Sequence, residues 1–137
     1  KVDEALPTVE TENGQGTEDS VMEDTVTEDS QPVVTGKAEV VGTLGHPASG
    51  TARVVEADGK TYIRYEDFET INGPDIFVYL AKDLDANEFY DLGKVRATEG
   101  NVNYEVPADV DVSEYRYVLT WCKQFGVLFN YADIGAK

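Results

Sequence analysis

The sequence is poor in the residues that build disulfide frameworks and metal centres. Its 137 residues include one cysteine, Cys122, and one histidine, His46. A single cysteine excludes a disulfide within the chain, and a single histidine excludes a site that takes two histidines from one chain. A site that uses both residue types requires Cys122 and His46 to meet in space.

Basic residues are also scarce. Lys and Arg number 11 against 27 Asp and Glu, which gives a formal net charge of −16. Proteins that bind nucleic acid neutralise phosphates with Lys and Arg, so we expect no nucleic-acid partner. The same sign argues against binding to an anionic membrane surface. The chain has no run of 18 apolar residues, which predicts that no helix spans a membrane.

Aromatic residues are absent from the first 60 positions, and the acids are unevenly spread. Residues 1–36 carry ten acids and one base, and the Glu-Asp pair recurs at positions 18, 23 and 28 beside Ser, Thr and Val. Such a segment buries too little apolar surface to offset its ordering entropy. We therefore predict a disordered acidic linker over 1–36 and one folded domain over 37–137. A calcium-collecting or partner-binding tail is the alternative for the linker.

The chain begins with Lys1 and not with Met. An acidic spacer behind a removed signal peptide is typical of a surface-tethered bacterial protein. On this interpretation we expect a secreted protein or a lipoprotein, held at the cell surface through a lipid-tethered N-terminus.

After the linker, the sequence has the pattern of short strands separated by turn residues. Asp58-Gly59 stands between two β-rich runs, and this pair is the strongest short signal for a hairpin, because both turn residues need positive φ. With no long 3.6-residue periodicity, the spacing predicts an all-β fold, an antiparallel sandwich or barrel of about seven or eight strands. The predicted strands are Ala52–Ala57, Lys60–Phe68, Ile76–Leu80, Phe89–Val95, Val102–Val106, Tyr115–Cys122 and Val127–Tyr131.

A set of motifs in fixed order resembles a known family, the DM-thirteen domain, also called the electron-transfer DM domain. The resemblance covers roughly residues 37–134. The motifs are Gly45-His46 with Gly50, Asp58-Gly59, Asn72-Gly73-Pro74-Asp75, Val78-Tyr79-Leu80, Asp91-Leu92-Gly93, Asn103 to Pro107, Trp121-Cys122-Lys123-Gln124-Phe125, and Phe129 with Ala132. The resemblance implies a β-rich extracellular domain with a redox role. It also implies that Cys122 acts as a bare thiol or as a ligand to a prosthetic group such as haem. The chain departs from the family at Asn130, near a position that is usually small.

Cys122 has a functional and a structural interpretation. On a strand, Val118 and Thr120 share its side, while Leu119 and Trp121 point to the other. A free cysteine is often an inert filler of the core. A redox thiol must be reachable and partly ionised, so the redox hypothesis predicts that a thiol reagent labels the native protein.

Two further loops carry candidate residues. His46 is either a solvated loop residue or a second group beside Cys122 that binds the same cofactor. Gly73, Pro74 and Asp75 form a turn, and we expect the Asp75 carboxylate to accept backbone N–H bonds and lock it. Together with Trp121, these three residues form the structural motif.

The leading hypothesis is therefore an extracellular or cell-surface domain with a redox or electron-transfer role centred on Cys122, with His46 as a second group. Its partner would be a redox or cell-surface protein that the sequence does not identify, and its cofactor is unknown, with haem the candidate by resemblance. The alternative is a non-enzymatic surface module that binds protein or glycan through tyrosine-rich loops.

Overall fold

The structure, a computed structural model, describes residues 2–7, 33–34 and 36–135. They form two packed β-sheets, so the predicted all-β class is confirmed. The first sheet has six strands in the order β1-β9-β6-β5-β2, with β3 also paired to β5. The second has five in the order β4-β11-β10-β7-β8. All the pairings are antiparallel except that of β1 with β9.

Each of the seven predicted strands has a counterpart. The strands are β1 Val2–Asp3, β2 Val33–Val34, β3 Ala38–Glu39, β4 Val41–Gly42, β5 Ala48–Ala57, β6 Lys60–Thr70, β7 Ile76–Ala81, β8 Phe89–Lys94, β9 Glu99–Val106, β10 Tyr117–Cys122 and β11 Val127–Asp133. A 3-10 turn, Val112–Glu114, is the helical part of the described chain. None of its described helices is long and apolar enough to cross a membrane.

The tight turn between β5 and β6 forms as predicted. Asp58 and Gly59 take φ of 56° and 78°, and Ala57 pairs with Lys60 across the turn. Two positive φ values fit the right-handed twist of the flanking strands. This end of the sandwich is called the hairpin end below.

The structure describes two short stretches of the predicted linker over 1–36. Val2 and Asp3 pair in parallel with Gly100 and Asn101 of β9. Residues 33–34 pair with β5. The rest of the predicted linker, 8–32 included, lies outside the described residues.

The core lies between the two sheets. Alternate residues of β6 and β9 pack against alternate residues of β7, β10 and β11, as the period of two in a strand requires. The buried members of this inner layer are Val40, Ala52, Ile63, Tyr65, Phe68, Val78, Leu80, Val102, Tyr104, Val106, Val118 and Ala132. A second apolar cluster, built on Tyr79, Ala81 and Leu119, is formed by the opposite face of the second sheet.

Candidate functional site

Cys122 is the last residue of β10 and points between the sheets. Val118, Thr120 and Cys122 are all 0 % exposed, and Cys122 packs with Ile76 and Phe129 in a small cluster of its own. The predicted alternation along β10 is therefore confirmed. The thiol is buried, which is the arrangement expected on the structural interpretation of Cys122.

The ring of Phe129 brings the candidate residues together at the end of the sandwich opposite the hairpin end, called the motif end here. Phe129 packs with Cys122 in the core. The imidazole of His46 stacks on it with ring centroids 4.1 Å apart and planes 21° apart. Gly73 lies against the same ring, so that a Cβ built on Gly73 would stand 2.9 Å from two ring carbons. Three motifs that are distant in the chain thus share one neighbour.

The hydrogen bonds of His46 fix its tautomer. The Thr43 hydroxyl, which has one hydrogen, donates to the carbonyl oxygens of Leu128 and Phe129 at 2.7 and 3.0 Å. It must therefore accept the hydrogen of His46 Nδ1 at 3.1 Å. With the hydrogen on Nδ1, the acceptor nitrogen of the ring is Nε2.

Among the hydrogen bonds of the described residues, those that hold the Gly73-Pro74-Asp75 turn use the Asp75 main chain and the Asn72 side chain, and not the Asp75 carboxylate as expected. The Asp75 carbonyl oxygen accepts from the Lys123 N–H at 2.8 Å, and Asn72 Oδ1 accepts from the Gly73 N–H at 2.9 Å. The first of these bonds ties the turn directly to the residue after Cys122. Trp121, the fourth residue of the predicted motif, lies on the opposite face of β10.

Polar groups surround the interior next to Cys122. Asn130 is fully buried, and its Nδ2 donates to Thr70 Oγ1 at 2.8 Å. Among the described residues, the Tyr65 hydroxyl, Thr120 Oγ1 and Asn130 Oδ1 are buried without a well-formed hydrogen bond. Burial raises the pKa of Tyr65 strongly, and the neighbouring Tyr104 raises it further. The departure from the family pattern at Asn130 therefore adds a buried amide to the core.

β11 accommodates Asn130 through a register shift. Thr120 pairs with Asn130, but the next residue, Trp121, pairs with Leu128. Phe129 is the extra residue of this bulge, which lets two consecutive side chains, those of Phe129 and Asn130, be buried together.

A haem with Cys122 as its ligand would need open space beside the sulfur. The thiol has no exposed surface, and the Phe129 ring fills the space beside it up to Gly73. A haem bound to Cys122 would have to displace this ring, so the residues present do not fit haem there. Within the described part of the chain, no three His, Cys, Asp or Glu side chains are grouped so that they could hold a metal ion.

Sequence reasoning missed two residues of the site. Thr43 sets the His46 tautomer, and Phe129 joins His46 to Cys122, yet neither carries titratable chemistry. The Phe129 position was part of the motif set, but its partners are up to 83 residues away in the chain, which leaves no local signal for the contact.

Comparison with known proteins gives one match. A family model described as Electron transfer DM13 matches residues 40–134, more than half of the chain. No curated protein matches, and no solved structure matches.

Proposed function

Because this chain belongs to the electron-transfer DM13 family, we propose that its redox role is centred on Cys122 at the motif end of the sandwich. The observation that supports this is the shared contact with Phe129, which brings His46 next to the cluster that holds the only thiol. A redox-related role is what the family description indicates, and the choice of Cys122 is the proposal.

The buried position of Cys122 determines the kind of redox step. A thiol without exposed surface does not form a mixed disulfide with a protein partner, because the partner thiolate must reach the sulfur. Single-electron transfer does not need such contact. One electron leaves the sulfur for an oxidised partner, a thiyl radical remains, and the thiol proton is released to water. The partner is reduced by one electron.

Voltammetry of the native chain tests this assignment. We expect one oxidation wave that Cys122→Ala abolishes and that the matched variant His46→Gln retains. A wave that survives in Cys122→Ala would place the redox group elsewhere. Circular dichroism of both variants checks the fold.

Thiol labelling provides an independent check on burial. We expect a thiol reagent to modify Cys122 only after unfolding, in contrast to the sequence-based expectation, because the native side chain is 0 % exposed. Rapid labelling of the folded protein would instead support a redox mechanism in which a partner reaches the Cys122 thiol directly.

We also propose an extracellular or cell-surface location, secreted or lipid-tethered. The support is the resemblance together with the acidic repeats of residues 1–36. Immunoblots of cell fractions test it, and recovery of the protein in the cytoplasmic fraction alone would contradict it.

The alternative function is binding through tyrosine-rich loops, but most of the tyrosines do not lie in loops. The tyrosines lie almost entirely in strands, with Tyr115 as the exception, and two of them, Tyr65 and Tyr104, are core residues. The tyrosines available to a partner are thus mostly on sheet surfaces.

A further inference from the structure

The outer face of the second sheet carries an aromatic layer that the redox site does not use. We call this layer the aromatic face. It consists of side chains that alternate with the inner core along four strands: Phe77, Tyr79, Phe89, Tyr117, Trp121 and Tyr131. Phe77 pairs with Trp121, Leu119 pairs with both Tyr79 and Tyr131, and Ala81 pairs with both Phe89 and Tyr117.

The rings on this face are packed into a continuous surface. Tyr79 stacks on Phe89 with centroids 4.1 Å apart and faces Trp121 at 6.1 Å. Tyr117 meets Tyr131 edge to face at 6.0 Å. The geometry is that of favourable aromatic pairs, which makes the face a preformed platform.

The platform is buried at its centre and open at its edges. Leu119 is 0 % and Tyr79 is 2 % exposed, whereas Phe89 is 44 % exposed and Val41, at the other edge, is 40 % exposed. Of the described hydrophobic residues outside the sheet, Leu84 and Ala86 pack on it. The Lys123 ammonium lies over the Phe77 ring, 4.0 Å from its centroid, and the Arg116 guanidinium lies over the Tyr117 ring at 5.1 Å. The open apolar surface is therefore at the Phe89 and Val41 edges, and exposed apolar surface of this kind marks interaction sites.

The charges around the platform are predominantly acidic. Lys123 pairs with Asp91 at 3.1 Å, Lys82 with Glu88 at 3.5 Å and Arg116 with Asp133 at 2.8 Å. Lys94 adds one basic group, opposite Phe77. Burial raises the pKa of the Tyr79 hydroxyl, and the nearby Asp75 carboxylate raises it further. Asp83 and Asp85 lie in the 82–88 loop. The edge of the platform therefore contains six carboxylates and four basic groups.

We propose that the aromatic face docks a redox protein whose contact surface is apolar at its centre and rich in Lys and Arg at its edge. This rests on the proposed function and names the chemistry of its partner. The acidic rim and the net charge of −16 repel a second copy of the chain and an anionic lipid surface. They attract a basic partner, as in steered association.

The position of Trp121 connects this face to the redox site. Trp121 and Cys122 are neighbours on β10 and point to opposite faces of the sheet. A partner on the outer face cannot touch the buried thiol, but it contacts the ring one residue away along the backbone. Trp121 is thus the residue through which an electron reaches the surface.

A basic cytochrome c, in its oxidised form, is a suitable probe for docking. Trp121 is the only tryptophan of the chain, and a haem close to it quenches its fluorescence. We expect quenching at low ionic strength that weakens as salt is added, because surface charges are screened. We expect Phe89→Ser to weaken binding at least fivefold and the matched variant Tyr62→Ser, on the outer face of the first sheet, to leave it unchanged. NMR amide shifts of the full chain should cluster on β7, β8, β10 and β11.

Four results would overturn the inference. The first is an equal affinity of Phe89→Ser and Tyr62→Ser for the cytochrome, and the second is a set of amide shifts confined to the acidic first 36 residues. The third is that cellohexaose, and not the cytochrome, shifts the amides of the aromatic face. The fourth is a dimer in sedimentation that Phe89→Ser abolishes. Voltammetry of the native chain and of Cys122→Ala separates this inference from the proposed function. Lost docking together with a wave that Cys122→Ala abolishes refutes docking alone, whereas docking together with a wave that survives in Cys122→Ala refutes the redox assignment alone.

Discussion

The outer faces of the two sheets carry different kinds of side chain. On the first sheet, the Glu66 carboxylate binds Arg53 and Arg64, each at 2.7 Å, and Lys37 at 3.4 Å. On the second sheet, the corresponding surface is aromatic. Side chains alternate between the two sides of each strand in both sheets. The outward side chains of the first sheet form ion pairs, and those of the second sheet form a layer of aromatic rings. The outer face of the first sheet is thus covered by polar contacts, whereas that of the second carries rings that are partly exposed at the edge.

The polar face is also closed by the N-terminal residues. Glu4 pairs with Arg96 at 2.6 Å, and its backbone carbonyl accepts from Arg64 at 3.0 Å. The Asn103 side chain donates to the carbonyl of Ala5 at 2.8 Å and accepts from Arg64 at 3.0 Å. A hydrogen bond from Arg96 holds the pKa of Glu4 below its usual value against the effect of burial, and the Asn103 N–H adds to it.

The largest expected effect tests whether the aromatic face is also a second core. Leu119→Ala should destabilise the domain by about 3 kcal/mol, since it removes a fully buried side chain from beneath the aromatic rings. Chemical denaturation measures this loss. Phe89→Ser is the control, with an expected cost below about 1 kcal/mol because the ring is at the exposed edge. Equal costs for the two variants would mean that the layer has no buried centre.

A smaller effect is expected on the polar face from Gly100→Ala. Gly100 has φ of 117°, and a Cβ there would collide with the carbonyl oxygen of Val2. We expect a loss of about 2 kcal/mol, from strain and from release of β1. Gly59→Ala is the matched control, because its φ of 78° is also positive but a Cβ there meets nothing within 4 Å. A cost no greater than that of the control would show that β1 contributes nothing to stability.

The smallest effect concerns the pH dependence of the polar face. Burial raises the pKa of Glu66, but hydrogen bonds from Arg64 and Arg53 outweigh it and hold the pKa below its usual value. The stability that this depressed pKa provides is complete above the unfolded value of about 4.3 and is lost as the pH falls through the lower, folded value. Glu66→Gln should therefore flatten the decline in denaturation midpoint below pH 5. Glu105→Gln, a carboxylate that forms no ion pair with the described residues, should leave the slope unchanged, and an identical slope in all three proteins would contradict the prediction.

The sequence predicts the fold well where the signals are local. Asp58-Gly59 requires a tight turn whatever the rest of the chain does, and the alternation from Val118 to Cys122 follows from strand geometry. The two-residue strands β1 to β4 are too short for any periodicity, so residues 2–3 were assigned to the linker on charge alone. The aromatic face did leave a signal: the unbroken apolar run Ile76–Leu80 is typical of a strand covered on both faces.

The site was predictable only in its parts. Cys122, His46 and the Gly73–Asp75 turn were singled out as residues, but their meeting point is the ring of Phe129. Ring stacking between distant segments depends on how the two sheets align and on the bulge in β11, and neither has a local sequence pattern.

The parallel pairing of β1 with β9 also has a consequence for aggregation. Without residues 2–5, β9 would be an edge strand, and the main-chain groups of Gly100 and Asn101 that pair with β1 would be open. Open strand edges are templates for pairing with other chains and for the growth of fibrils. The first few residues therefore cover the edge of β9, and proteolytic trimming just after Ala5 would expose this edge for pairing with another copy of the chain.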